Sequence, residues 1–339
     1  MRCFIHKFVI NLLHHMDYKN LAVAIIREEL EKFDLLYNSI RSENPHLQEM
    51  IEYMQKADGK KRRPILLMLT AKALGEVNDK TYHGAVTIEL LHTAALIHDD
   101  VVDDADMRRG QPSLNSIYDN RKTVLCGDFF LSSALTQSVL TEDLEIVSTI
   151  AKLGKKLAEG ELQQLFVADN VIIDEAEYFN IIRQKTASLL SACMKIGALT
   201  VDADKDVVDK FTELGEHIGI SVQLRDDIFD YYDANIGKPT GNDIREGKIT
   251  LPLLYAFQHT SSTDSQKAKT IVNNKDFTDE NISYLINFAK ANGGIDYTYS
   301  FLEKSTEKAK QIVSDMKSIS NDMKESFLSV IQYLKERKY

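Results

Sequence analysis

Residues that break helices are scarce in this sequence, because its 339 residues include 15 glycines and 5 prolines. Soluble proteins average about 7% glycine and about 5% proline. A β-sandwich or barrel of this length needs many turns that contain these residues, so the scarcity disfavours both classes. The composition predicts long helices with few connections. The length alone gives an expectation of about two domains, with one large domain allowed.

Apolar residues recur at helical spacing along most of the chain. The predicted helices cover residues 17–41, 47–57, 63–75, 121–140, 142–168, 174–201, 204–234, 250–259, 279–291, 295–318 and 322–337. Residues 79–104 form a further long, nearly uncharged helix, which should be buried on most sides. The longest loop rich in helix breakers is predicted at 235–249. The polar segment 260–278 is interpreted as a mobile surface connection.

Charge and cysteine content limit the classes of partner and compartment. The net charge of −10 disfavours a nucleic-acid partner. The cysteines are far apart in the sequence, which is typical of a reducing cytosol, and they are Cys3, Cys126 and Cys193. No stretch approaches the roughly 18–20 uninterrupted apolar residues of a membrane span. Residues 1–16 are predicted to be an N-terminal extension, and two interpretations stay open. Either translation starts at Met16, or the segment is a short amphipathic extension.

Two acidic motifs of the form DDxxD each follow a strongly apolar helix. Their members are Asp99, Asp100 and Asp103, and Asp226, Asp227 and Asp230. Residues i and i+4 of a helix lie on one face, so the outer carboxylates of each motif should point together. Like charges this close repel one another, and burying them without a partner is costly. An all-oxygen set of carboxylates suits Mg²⁺, so we expect a magnesium site. A solvated acidic helix end is the alternative interpretation.

Basic residues surround these motifs in the sequence. The segment 59–64 places several cations at a predicted helix start, and helix N-termini favour anions. Arg108 and Arg109 follow the first acidic motif, and further lysines occur at Lys185, Lys238 and Lys248. The set predicts two phosphate-bearing ligands, one bridged by Mg²⁺ to carboxylates and one clamped directly by Arg and Lys. The pattern GxxxxGK[ST] of a P-loop nucleotide hydrolase is absent from the sequence.

The ordered motifs together resemble the trans-isoprenyl diphosphate synthase family over residues 20–337. They are GKxxRP at 59–64, ExxH at 89–92, HDDxxDxxxxRRG at 98–110, GD at 127–128, KT at 185–186, QxRDDxxD at 223–230, GKxxGxD at 237–243 and GKxTLP at 247–252. The resemblance implies a single all-α domain at 17–339, in which antiparallel helices surround a central active-site cavity (the isoprenoid synthase fold). It further implies a Mg²⁺-dependent prenyltransferase, usually a homodimer. Such an enzyme condenses isopentenyl diphosphate head-to-tail (trans, 1′-4) onto an allylic diphosphate.

The resemblance also implies roles for individual residues. Asp99, Asp103 and Asp226 should bind the Mg²⁺ of the allylic diphosphate, with the other aspartates in the same clusters. Residues expected to contact that diphosphate are Arg108, Lys185 and Lys238, and those expected to hold isopentenyl diphosphate are Lys60, Arg63, His92 and Arg109. Lys248 is a further expected substrate-binding residue. Thr186 and Gln223 should line the reacting carbons. The departing diphosphate is expected to serve as the base.

Product length should depend on the helix that carries the first acidic motif. Ala94 and Ala95 lie about one turn below that motif, where short-chain relatives typically have an aromatic floor. Leu91 and Ile88 lie lower on the same helix. These residues predict an open tunnel and a long-chain product, of the kind used for quinone side chains. A blocking side chain from another helix, Phe129 or Phe130, is the alternative.

Three other functions are alternatives to a long-chain synthase. A farnesyl- or geranylgeranyl-length synthase is the nearest alternative. A non-catalytic subunit of a heteromeric prenyltransferase usually loses an acidic motif, and a class I terpene cyclase usually has a different second metal motif. The sequence differs from the usual motifs of the family at Asp58, Lys61 and Val222, although no proposed metal or phosphate ligand is missing. We expect a cytoplasmic protein, with peripheral membrane contact during product release left open.

Overall fold

The computed structural model describes residues 23–56, 61–108, 110–171, 174–232, 240–260 and 263–336, and this part of the chain is almost entirely helical. Its α-helices are α1 (Arg27–Tyr37), α2 (Pro45–Lys56), α3 (Arg62–Leu74), α4 (Asp79–Val102), α5 (Leu114–Tyr118), α6 (Asn120–Val139), α7 (Leu144–Asn170), α8 (Glu175–Ile182), α9 (Ser188–Leu199), α10 (Lys205–Phe229), α11 (Asn242–Arg245), α12 (Leu251–His259), α13 (Thr263–Asn273), α14 (Asp279–Ala291), α15 (Gly294–Asp315) and α16 (Asn321–Glu336). The predicted all-α class is confirmed. None of the described helices is long and apolar enough to cross a membrane.

Two short elements interrupt the α-helical pattern. A π-helical turn occupies Arg183–Ala187 between α8 and α9. The strands β1 (Met107–Arg108) and β2 (Gln111–Pro112) pair as a small antiparallel hairpin after α4. Both elements hold residues of the predicted motifs.

The described residues divide into two compact units. The first is drawn from Met1–Gly154, Leu190–Gly215 and Val313–Tyr333. The second is drawn from Lys155–Leu189, Glu216–Ile312 and Leu334–Tyr339. The single domain and the central cavity implied by the resemblance stay predictions.

Helix α4 is the main buried element of the first unit, as its uncharged sequence predicts. The helix begins after Asn78, whose side chain accepts a hydrogen bond from the Thr81 N–H while the Thr81 hydroxyl accepts one from the Asn78 N–H. This reciprocal capping satisfies backbone donors that a helix start leaves open. The helix packs most extensively against α6. At Gly84 an added Cβ would lie 2.9 Å from the Ile196 side chain, so the glycine allows close packing on α9.

The core of the second unit joins the end of α10 to α12, α14 and α15. Tyr231, Leu253 and Leu285 are fully buried there, and Phe257 packs against Phe288 with ring centroids 5.7 Å apart. Helix α12 begins within the GKxTLP motif, where proline is tolerated because the first turn of a helix has no intrahelical partner for its N–H. The motif therefore sets a helix start beside the polar turn at residues 240–250.

Two predicted boundaries were wrong. The segment 260–278 was expected to be a surface connection, but α13 occupies Thr263–Asn273 and buries Ala268, Ile271 and Val272. The polar composition concealed a narrow apolar stripe at helical spacing. The predicted helix at 174–201 is interrupted by the π-helical turn, because one residue more than an α-helix accommodates lies between the flanking helices.

Candidate active site

The first acidic motif lies at the end of α4 in the first unit. Asp100 is buried, and its carboxylate accepts a hydrogen bond from Arg108 Nε at 2.6 Å and pairs with a second guanidinium nitrogen. Asp99 and Asp103 are half-buried. The β1–β2 hairpin returns Arg108 to α4, with Gly110 at φ 78° between the strands, a conformation that glycine adopts readily. The hairpin therefore places a cation directly beside the motif.

A cavity of about 210 Å³ opens beside this motif, and the described residues that line it all belong to the first unit. Its acidic, basic and histidine wall residues are Asp34, Lys56, Lys61, Glu89, His92, Asp100 and Arg108. His92 is 7% exposed, and Lys61 Nζ donates a hydrogen bond to Asp34 at 2.6 Å. The cavity brings two predicted substrate ligands, His92 and Arg108, onto one wall. Arg63 is half-buried in the first turn of α3. Lys60 and Arg109 lie outside the described residues.

The GD motif supports the helix that holds the first acidic motif. His98 Nε2 lies 3.3 Å from Asp128 Oδ1 and 3.3 Å from the Val124 carbonyl oxygen, both on α6. An added Cβ at Gly127 would lie 2.3 Å from His98 Nε2, closer than real Cβ contacts. A side chain at this position would therefore displace the imidazole from its contacts with α6.

The second acidic motif lies at the end of α10 in the second unit. Asp226 is exposed, whereas Asp227 is buried. The Tyr178 hydroxyl and Gln223 Nε2 donate hydrogen bonds to the two oxygens of Asp227, the latter at 2.7 Å. Burial raises the pKa of the Asp227 carboxyl to about 7, although both hydrogen bonds act in the opposite direction. The same cause raises the pKa of the Tyr178 hydroxyl well above its usual value.

The third aspartate of this motif binds the backbone of the following turn. Asp230 Oδ1 accepts a hydrogen bond from the Asn242 N–H at 2.8 Å, and Oδ2 accepts one from the Asp243 N–H at 3.0 Å. The Asp230 carbonyl oxygen also accepts a hydrogen bond from the Gly241 N–H at 2.8 Å. The carboxylate thus anchors the start of α11. Lys248 Nζ pairs with Glu246 at 2.6 Å in the same turn region.

The KT motif lies on the π-helical turn. Lys185 Nζ pairs with Glu161 and lies 3.4 Å from Gln164 Oε1, both on α7. The Thr186 hydroxyl donates a hydrogen bond to Gln223 Oε1 at 2.6 Å. Because Gln223 also donates to the buried carboxylate of the second motif, its amide orientation is defined by two partners. Lys238, the remaining predicted catalytic residue, lies outside the described residues.

A second cavity of about 210 Å³ lies against these groups, and its lining among the described residues belongs entirely to the second unit. Its polar wall residues include Gln164, Asp174, Tyr178, Lys185, Thr186, Gln223, Asp227, Asp243, Lys248 and Thr250. The cavity therefore gathers the described catalytic candidates of the second unit, Lys185, Thr186 and Gln223. Burial and the neighbouring Asp227 raise the pKa of the Asp243 carboxyl above its usual range.

The predicted product-length residues lie on α4 with different exposure. Ile88, Leu91 and Ala94 are buried, and Ala95 is half-buried. Phe130 is fully buried on α6, and its ring meets that of Phe129 edge to face with centroids 6.2 Å apart. All of these residues belong to the first unit, and their role in product length stays a prediction.

The aspartates of both acidic motifs supply oxygen donors that suit a metal ion. Within the described ranges, no group of three or more His, Cys, Asp and Glu side chains is close enough to hold a metal ion by itself. Asp99 and Asp103 are half-buried and Asp226 is exposed, so each motif has at least one aspartate that is not fully buried. Oxygen donors of this kind fit Mg²⁺.

Three polar residues at the site were missed in the sequence. Tyr178 binds the buried aspartate of the second motif, Glu161 pairs with the lysine of the KT motif, and Asp34 pairs with Lys61. Each partner is more than twenty residues away in the sequence, so no local pattern identifies it.

Comparison with known proteins decides the family. The family model described as polyprenyl synthetase matches residues 44–289. The chain belongs to the polyprenyl synthetase family. It is 30% identical to the octaprenyl diphosphate synthase of Haemophilus influenzae over 303 residues, which cover 88% of this chain and 91% of that protein. The resemblance inferred from the ordered motifs is confirmed, as is membership of a prenyltransferase enzyme family.

Solved structures of polyprenyl synthases share the isoprenoid synthase fold with this chain. The geranylgeranyl pyrophosphate synthase of Bacteroides thetaiotaomicron is 38% identical, with a TM-score of 0.82 over 95% of this chain and 100% of that chain. A polyprenyl synthase of Caulobacter crescentus CB15, complexed with calcium and isoprenyl diphosphate, is 28% identical, with a TM-score of 0.88 over 95% of this chain and 98% of that chain. The similar proteins therefore include both long-chain and geranylgeranyl synthases.

Proposed function

We propose that this polyprenyl synthetase condenses isopentenyl diphosphate head-to-tail onto an allylic diphosphate to make a long-chain polyprenyl diphosphate. The observation that carries the proposal is that each acidic motif borders a cavity with cationic side chains on its wall. Asp100 and Arg108 line the cavity of the first unit, and Asp227, Lys185 and Lys248 line that of the second. Carboxylates that hold a cation, beside direct Arg and Lys contacts, suit diphosphate ligands.

Magnesium is the proposed cofactor. Asp99, Asp103 and Asp226 would hold Mg²⁺ ions bound to the allylic diphosphate, since none of the three residues is fully buried. When bound, Mg²⁺ neutralises negative charge that develops as diphosphate leaves. The buried aspartates contribute differently. Asp100 holds Arg108, and Asp227 holds Gln223, so each would orient a neighbouring polar side chain.

The described cations divide between the two diphosphates. Arg108 and Lys185 would bind the allylic diphosphate, together with Lys238. Arg63 and His92 would bind isopentenyl diphosphate, together with Lys60 and Arg109. Lys248 would be a further contact, which its position on the cavity wall supports. Lysine and arginine stabilise a departing diphosphate because their charge is already in place.

Thr186 and Gln223 would line the reacting carbons. Their mutual hydrogen bond of 2.6 Å fixes the threonine hydroxyl and the amide oxygen relative to each other. A fixed dipole stabilises developing positive charge without the reorganisation that water requires. The condensation breaks the allylic carbon–oxygen bond and forms one carbon–carbon bond. The released diphosphate takes the proton lost from isopentenyl diphosphate, so no protein base is needed.

The long-chain product rests on small residues at the expected tunnel floor. Ala94 and Ala95 would leave a tunnel open where short-chain relatives typically have an aromatic ring. We expect Ala94→Phe to shorten the product, and an unchanged length would reject the tunnel-floor assignment. A geranylgeranyl-length product is the second candidate, favoured by 38% identity to the synthase of Bacteroides thetaiotaomicron. Use of the long-chain product for quinone side chains belongs to the same proposal.

A homodimer in the cytoplasm is the proposed state of the enzyme. Helix α6 exposes apolar side chains that a second copy would cover, with Leu125 66%, Leu135 46% and Val139 63% exposed. Exposed apolar residues grouped on one helix are typical of an interface. Light scattering after size exclusion should give twice the chain mass, and Leu135→Glu should lower it. A monomeric wild-type enzyme would contradict the dimer.

The elongation reaction itself tests the function. Purified chain is incubated with labelled isopentenyl diphosphate, farnesyl diphosphate and Mg²⁺, and the extracted products are sized. We expect products well beyond twenty carbons. Products that stop at twenty carbons would favour the geranylgeranyl candidate, and no elongation would reject both.

A further inference from the structure

The π-helical turn at Arg183–Ala187 carries two candidate catalytic residues side by side. The Ser188 N–H donates its hydrogen bond to the Arg183 carbonyl, five residues back, which defines the wide turn. Such turns are rare and occur mainly as single insertions within α-helices, often at functional sites. Lys185 and Thr186 are consecutive residues within this turn. They reach partners on different helices, α7 and α10.

Two glycines bring those helices into contact with the turn. An added Cβ at Gly160 of α7 would lie 2.9 Å from Gln184 Cβ and 3.2 Å from the Lys185 backbone nitrogen. An added Cβ at Gly219 of α10 would lie 2.4 Å from Ala187 Cα. Real Cβ atoms are essentially never found closer than 3.0 Å to such neighbours. A side chain at either glycine must therefore displace the turn or the helix.

The same helices supply the polar partners next to these contacts. Glu161 follows Gly160 directly and pairs with the Lys185 ammonium group. Gln223 lies one turn after Gly219, and its Oε1 accepts a hydrogen bond from the Thr186 hydroxyl at 2.6 Å. A close contact with the turn and a polar partner on each of the two helices thus fix the two side chains.

We propose that Gly160 and Gly219 are positioning residues, which hold the π-helical turn so that Lys185 and Thr186 are aimed at the diphosphate and the reacting carbons. The inference rests on the proposed function for the roles of these two side chains. It adds two residues outside every motif found in the sequence. Because misplacement by about 1 Å can cost about 100-fold in rate, a displaced turn should impair the reaction without removing any functional group.

The test compares Gly160→Ala with Gly154→Ala, a control on the same helix where an added Cβ meets nothing within 4 Å. Binding of inorganic diphosphate in the presence of Mg²⁺ is measured by calorimetry, and kcat and KM for elongation are measured in parallel. We expect Gly160→Ala to weaken diphosphate binding about tenfold, as loss of a charge-assisted hydrogen bond does. We expect kcat to fall by about 10- to 100-fold. The control should match the wild type in both measurements.

A double variant separates positioning from general destabilisation. In a Lys185→Ala background, Gly160→Ala should cause no further loss of diphosphate binding, because the side chain that it displaces is gone. An equal loss in both backgrounds would overturn the proposal, as would wild-type binding and turnover in Gly160→Ala. The binding comparison stands even if the wild-type chain fails to elongate, so failure of the proposed function is distinguished from failure of this inference.

A second variant keeps the test open if Gly160→Ala does not fold. In the double variant Gly160→Ala/Gln184→Gly, the closest contact, between the two Cβ atoms, is absent. The contact between the new Cβ and the Lys185 backbone nitrogen remains. We expect the double variant to fold and to bind diphosphate more tightly than Gly160→Ala does. If Gly160→Ala cannot be measured, the double variant should bind diphosphate within about threefold of the wild type. Binding as weak as that of Lys185→Ala would overturn the assignment of this contact.

Discussion

Removing one hydroxyl should destabilise the second unit measurably. Tyr178 donates a hydrogen bond to Asp227, which is 1% exposed, so water has little access to replace the donor in Tyr178→Phe. The ring keeps its packing, with its centroid 5.3 Å from that of Phe179, and the remaining bond from Gln223 is 2.7 Å long. The variant therefore isolates a single hydrogen bond to a buried carboxyl group.

The magnitude follows from the surroundings of that carboxyl group. Hydrogen bonds to charged groups contribute about 1.5–3 kcal/mol. Losing the Tyr178 donor raises the pKa of Asp227 further, because this bond acts against the effect of burial. A larger protonated fraction at neutral pH reduces the charge left without a donor. We therefore expect the lower half of the range, about 2 kcal/mol in the free energy of unfolding.

Urea unfolding of the full chain, followed by circular dichroism, measures this loss. Tyr284→Phe is the matched control, since its exposed hydroxyl donates to the Asp264 backbone at 3.1 Å and should contribute within about 0.5 kcal/mol. Equal free energies of unfolding for the two variants would refute the reasoning. We also expect kcat of Tyr178→Phe to fall, because Asp227 holds the Gln223 amide in place.

Three further predictions concern other parts of the structure. Gly127→Ala should cost about 1–3 kcal/mol of unfolding free energy, because its Cβ would lie 2.3 Å from His98, whereas Gly154→Ala should be neutral or stabilising in the same urea assay. Burial raises the pKa of Cys126 to about 12, so its thiol should resist N-ethylmaleimide at pH 8 until urea is added, as peptide mass spectrometry would detect. The unfolded state loses this thiol proton from about pH 8.5 and the folded state only near pH 12, so the free energy of unfolding should fall as pH rises through that window. Asp230→Ala should cost about 0.5–2 kcal/mol, because the Asn242 N–H loses its cap, and unchanged urea stability would contradict this.

Helical architecture was predictable because it rests on local patterns. The nearly uncharged run at 79–104 forms α4, which ends within two residues of the predicted end, since apolar periodicity and the Asn78 cap act within the helix itself. Helix α13 was missed because a polar segment needs few apolar residues to bury one narrow stripe. Only tertiary packing reveals such a stripe.

The motifs of the candidate site could be predicted from the sequence, but the contacts between their side chains could not. The order of the motifs identified the family that the polyprenyl synthetase model confirms. Nothing in the sequence indicated that Asp100 holds Arg108, or that Asp227 is buried while its neighbour Asp226 is exposed. Adjacent residues on a helix point about 100° apart, so identical aspartates acquire different surroundings from what packs beside each.

The two packing glycines could not be identified from the sequence, because their contacts are with residues far away along the chain. Gly160 and Gly219 lie outside every quoted motif, and their importance depends on a turn that arrives from elsewhere in the chain. A glycine inside a helical pattern is a weak signal, since it is tolerated at a cost of about 1 kcal/mol relative to alanine. Close approach of backbones supplies the physical reason that sequence alone does not.

The stoichiometry of diphosphate release tests the central claim most directly. The purified chain alone is mixed with isopentenyl diphosphate, farnesyl diphosphate and Mg²⁺, and released inorganic diphosphate is compared with the labelled carbon incorporated into product. We predict one diphosphate released for each isopentenyl unit added, with both signals lost on chelation of the metal and in Asp99→Asn and Asp226→Asn. Diphosphate release without incorporation, or full incorporation by either aspartate variant, would contradict the account.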